Sequence, residues 1–141
     1  MRTIWKLNMI SILYAVIIFL EIELLGNMFR IARITEMSIE IVRPSILIMG
    51  IGLFLVGTIL IFVLLKRKFN DTRFIHFTCL LWIPYFILFV FLFSAIYPIS
   101  DPGELPSDAG GLIAIAGVIV YPLYIFIVNI VGISSSGEKT A

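Results

Sequence analysis

Four long stretches of this 141-residue chain carry almost no charge, and that pattern constrains the fold more than any other feature. No charged residue lies between Arg43 and Lys66, between Arg73 and Asp101, or between Asp108 and Glu138. Between Lys6 and Arg30 the only charges are Glu21 and Glu23. A run of about 20 apolar residues, wound at 1.5 Å per residue, reaches the roughly 30 Å of a bilayer's hydrocarbon core. Only a helix satisfies every backbone hydrogen bond inside so continuous an apolar segment, because a barrel strand is shorter and alternates. The spans are expected near 7–28, 44–65, 74–98 and 110–133. The fold class is therefore all-α: an integral membrane protein of four transmembrane helices, in one membrane domain covering residues 1–141.

Composition agrees. The chain is 61% hydrophobic and 13% charged, whereas a soluble domain is nearer 45–50% and 25%. What the spans leave is too short for a separate soluble domain. A net charge of +1 gives no field for nucleic acid. Cys79 is the single cysteine, which excludes an internal disulfide and a paired-cysteine redox motif. No P-loop, HExxH or GxSxG is present, and no cofactor or metal site is expected.

Lysine and arginine set the direction. Arg2, Lys6, Lys66, Arg67, Lys68, Arg73 and Lys139 fall on one side, and Arg30, Arg33 and Arg43 on the other. Seven against three places both termini and the 66–73 loop in the cytoplasm of a multi-pass cell-membrane protein. The basic N-terminus does not read as a cleaved signal, because its apolar run ends in Glu21-Ile22-Glu23 with no small-residue cleavage site. Trp5 and Tyr97 suit interfacial positions. Asn70-Asp71-Thr72 matches a glycosylation sequon but reads as a cap for the third span.

Between the first two spans, Arg30, Arg33, Glu36, Glu40 and Arg43 recur at steps of three and four, which is one helical face. An amphipathic extracytoplasmic helix is expected over 29–43, or a continuation of the first span, with Arg33–Glu36 and Glu40–Arg43 pairs along it. The alternation of 37–41 leaves a short strand as a further reading. In the 99–109 loop, Asp101-Pro102-Gly103 reads as a turn, and Ser107 or Asp108 caps the fourth helix.

Glu21 and Glu23 are the sharpest functional candidates. From a core beginning near Leu7, Glu21 lies about 21 Å up the helix and about 9 Å below the outer surface. Residues two apart diverge by about 200°, so the two carboxylates do not share a ligand unaided. Glu23, Asn27 and Arg30 do share a face. An ion-coupling carboxylate is the functional reading, and an ion pair with Arg30, Arg33 or Arg43 the structural one. Asp101, Glu104 and Asp108 match no calcium loop. His76 and Cys79, at i and i+3, fall short of the three or four ligands zinc needs. With Asn8 and Asn129 they read as a polar lock between helices.

Pro84 and Pro122 fall at matched depth near mid-membrane, among Trp82, Tyr85, Tyr121 and Tyr124. Two kinks with aromatic walls are a candidate cavity for an apolar ligand, against ordinary packing in which Tyr or Thr78 hydroxyls bond the freed carbonyls. Gly110, Ala114 and Gly117 form a small-residue stripe, and Gly50 and Gly57 lie two turns apart; both suit close helix approach.

The expected role is that of a small, non-catalytic membrane protein. It acts as an accessory, interaction or immunity-type protein, packing against a membrane-protein partner, a lipid or a peptide, or against a second copy of itself. The alternative is a small oligomeric transporter or channel using Glu21 or Glu23.

Overall fold

The structure, a computed structural model, describes residues 2–68 and 75–137. It is helical, with no strand among the described residues. Helix α1 spans Arg2–Gly26, α2 Met28–Thr35, α3 Ile39–Lys68, α4 Thr78–Ile96 and α5 Asp108–Gly137. Short 3-10 turns at Ile75–Phe77 and Pro102–Glu104 precede α4 and α5. Four helices are long and apolar enough to cross a membrane, over Thr3–Gly26, Ile39–Arg67, Ile75–Ile96 and Ala109–Ser134.

These helices overlap the four expected spans, with two differences. The second begins at Ile39 and takes Pro44 inside, rather than starting there. Pro44 is the sixth residue of α3, past the first turn, so it withholds the amide that the Glu40 carbonyl would otherwise receive. The 29–43 segment is not one helix. Its first part is α2, which ends at Glu36 in a left-handed conformation (φ 57°). Its last part opens α3, with the Ile41 and Val42 amides bonded to the Ser38 carbonyl. The five charged residues therefore do not share a face. The strand reading of 37–41 fails for the same reason. The sequon and most of the basic 66–73 loop lie outside the described residues.

α1 is the central helix, packing most extensively on α4 and then on α3 and α5. α3 and α5 also pack on each other, whereas α4 meets α5 only slightly. Ile10, Tyr14, Ala15, Ile61, Leu65 and Ile125 anchor a core toward the end where α1 begins. Toward the other end the helices splay and leave grooves. Gly57 permits close approach, since a Cβ there would stand 2.6 Å from Ile17 Cδ1. Gly117 has no heavy atom within 4 Å of its would-be Cβ, so the stripe on α5 lines open space rather than a seam.

Large apolar side chains such as Ile48, Phe91, Leu112 and Ile119 face outward. In water that surface would aggregate, but in lipid it needs no cover.

Candidate functional site

Polar groups gather at three places along the bundle. The first is buried and centred on Asn129 of α5. Its Oδ1 accepts from the Tyr14 hydroxyl at 3.0 Å. Its Nδ2 donates to Thr78 Oγ1 at 2.8 Å and to the Ile75 carbonyl at 3.3 Å. Thr78 in turn donates to that carbonyl at 2.6 Å. One side-chain amide thus ties α1, the start of α4 and α5, with both its ends in use.

The expected lock of Asn8, Asn129, His76 and Cys79 separates into parts. Asn8 accepts from the Tyr85 hydroxyl at 2.9 Å. His76 lies against the Phe126 ring, 5.4 Å between centroids. The Cys79 carbonyl accepts from the Trp82 indole at 3.0 Å, and its thiol is free.

The aromatic candidates pack rather than enclose a chamber. Trp82 is buried and meets Tyr121 edge-on at 5.1 Å. Tyr121 stacks on Tyr124 at 5.2 Å, and Tyr14 sits edge-on to both. Pro84 and Pro122 lie inside continuous helices. The hydroxyls go elsewhere than to the carbonyls those prolines free: Tyr121 donates to the Tyr14 carbonyl at 2.7 Å, and Thr78 to Ile75.

The second cluster is a clamp at the α2 end. Glu104 is 3% exposed and receives two arginines. Arg30 Nε donates to Glu104 Oε2 at 3.0 Å, and Arg33 Nη2 pairs with Oε1. Arg30 also donates to the carbonyls of Tyr97 and Pro98, at 3.3 and 3.2 Å. Arg33 reaches Asp101 at 3.8 Å. Asp101 accepts from the Gly103 amide, and Ser107 from the Gly110 amide, so the turn and the cap at the head of α5 form as expected. The charged face of α2 is thus the face that packs, while Ile34 is exposed. An apolar side facing lipid needs no partner, and a guanidinium does. Arg33 turns to Glu104 rather than to Glu36, and Arg43 lies exposed on α3, outside the clamp.

The third place holds the two carboxylates of α1, which diverge as the helix geometry requires. Glu23 Oε2 accepts from Asn27 Nδ2 at 2.6 Å. It borders an apolar groove of about 560 Å³ between α1, α4 and α5. Glu21 faces α3, with Oε2 so near Gly50 that a Cβ there would stand 2.8 Å away. Its Oε1 is buried and has no hydrogen-bond partner. The groove beside it, about 420 Å³, includes Ile18, Phe54, Gly117, Tyr121 and Tyr124 in its walls. Of the aromatic cavity candidates, only these two tyrosines reach it. Neither carboxylate forms an ion pair with an arginine among the described residues.

Sequence reasoning did not find Glu104 as the arginine partner, nor Tyr14 as the hub's second member. No local signal marks either, since the partners stand 71 to 115 residues away. No group of three or more His, Cys, Asp or Glu able to hold a metal occurs among the described residues. No protein-family model matches the chain, and neither the curated proteins nor the solved structures give a match.

Proposed function

We propose that the protein sits in the cell membrane as a multi-pass protein with both termini cytoplasmic, and acts there without catalysis. Its role is that of an accessory or immunity-type protein that packs a membrane partner, a lipid or a peptide against its helices. One observation carries this reading: apart from Ser11 and Glu21, which keep a buried oxygen without a partner, the buried polar side chains among the described residues are spent on the bundle's own packing. Asn129, Tyr14 and Thr78 satisfy one another, Asn8 takes Tyr85, and Glu104 takes both arginines. Chemistry or ion coupling needs groups held ready for a substrate, whereas these groups hold helices. The grooves at the α2 end, apolar and open to the side, suit an apolar visitor.

A photoreactive phenylalanine derivative at Val118, half-buried in the wall of the larger groove, tests the reading against one at Ile48, on an outward face. A discrete adduct of one mass from position 118, with only bulk lipid from 48, is the expected outcome. Identical bulk-lipid labelling at both positions contradicts it. The transporter reading keeps one specific support, the unpaired Glu21 oxygen.

A further inference from the structure

We propose that the groove between α1, α3 and α5 binds a single-tailed lipophilic primary amine, its ammonium on the Glu21 carboxylate and its tail along Ile18, Phe54 and Leu55. A buried carboxylate oxygen without a donor is costly, and it is relieved by a donor arriving from outside the chain. No described residue supplies one. The Tyr121 hydroxyl is committed to the Tyr14 carbonyl. Thr58 has a single O–H, which goes to the Phe54 carbonyl at 2.7 Å, so in the 2.6 Å contact between Thr58 and Tyr124 the tyrosine is the donor. Arg30 and Arg33 are held on Glu104.

The surroundings define the ligand. The groove, about 420 Å³, falls in the range of small-molecule sites and is apolar apart from the carboxylate. Phe54, Tyr124 and Tyr121 form a continuous aromatic wall, with successive centroids 4.9 and 5.2 Å apart, and ring faces attract a cation. The terminal torsion of a glutamate is broad and two-fold, so turning an oxygen toward the groove costs little. Glu21 stands five residues before the end of α1 at Gly26, roughly 8 Å inside. A two-tailed aminophospholipid holds its ammonium at the headgroup level, above that depth. A single-tailed amine is free to sink to it. A quaternary ammonium has no N–H to give the oxygen, and an alcohol has no charge.

The test is calorimetric titration of the full chain in phosphatidylcholine nanodiscs with dodecylamine, dodecyltrimethylammonium and dodecanol, after subtraction of empty discs. Dodecylamine is expected to bind saturably at one per chain, at least about tenfold tighter than the other two, as a charge-assisted hydrogen bond implies. Glu21→Gln, which preserves shape, is expected to erase that preference. Gly117→Leu, which grows into open space, is expected to block all binding. Glu23→Gln is expected to change nothing. Equal affinity for dodecanol, unchanged binding by Glu21→Gln, or equal loss in Glu23→Gln overturns the proposal. So does weakened amine binding in phosphatidylethanolamine discs, which would assign the site to the lipid headgroup. The comparison of the three ligands on the unaltered protein holds even if a variant misfolds. The titrations involve no protein partner, so they stand or fall separately from the accessory reading.

Discussion

Asn129 is a buried side-chain amide with both its ends in use. Replacing it with alanine strands the Tyr14 hydroxyl and leaves the Thr78 and Ile75 acceptors without their shared donor. The expected loss is about 2 kcal/mol, measured by unfolding in mixed micelles. Tyr14→Phe removes one hydrogen bond alone and is expected to cost about 0.6 kcal/mol, the average for bonds between membrane helices. The two changes are then expected to be non-additive, because they share one contact. Glu36 is the opposite case. It holds a left-handed conformation at the end of α2 without a side-chain reason. Glu36→Gly is expected to stabilise by about 1 kcal/mol in the same assay. The sequence marked Asn129 as a lock by its depth alone. It did not mark Tyr14, because a contact 115 residues long leaves no local pattern, and a tyrosine among apolar residues reads as packing.

At the scale of the elements, the helices were legible and their joints were not. Charge gaps and hydropathy located four helices, since a bilayer-length apolar run has one solution for its backbone. The joint at 36–38 was missed because the charge spacing on either side continues in phase across it. What sets that joint is the clamp, in which α2 turns its arginines onto Glu104. Glu104→Gln is expected to weaken the clamp by about 3 kcal/mol, the low end for a broken buried pair, because Arg33 is half exposed. Hydrogen exchange is expected to quicken in α2 and around 97–105 while the centre of α5 stays protected. Uniform quickening would mean that the clamp holds the whole bundle. The glycines of α3 separate seam from open face. Gly57→Val drives a side chain into Ile17 and is expected to cost about 2 kcal/mol. Gly52→Ala meets nothing within 4 Å and is expected to stay within about 0.5 kcal/mol of the parent.

Across the whole molecule, packing is uneven in a way that the composition of the chain does not reveal. One end is a closed core around Ile10, Tyr14 and Ile125, and the other opens into grooves bordered by Glu21 and Glu23. The two carboxylates were legible as the only charges inside a run. The shared face of Glu23 and Asn27 was legible too, and Asn27, in the joint between α1 and α2, secures that carboxylate; the bare face of Gly50 that receives Glu21 was not. We propose that this protein binds rather than transports, since most of its buried polar groups hold helices together. Proton and alkali-cation flux in proteoliposomes, driven by an imposed pH gradient and potential, tests that claim most directly, with Glu21→Gln and Glu23→Gln measured alongside. Flux no greater than that of empty liposomes is expected for all three proteins. Flux in the parent chain that collapses in Glu21→Gln would contradict it.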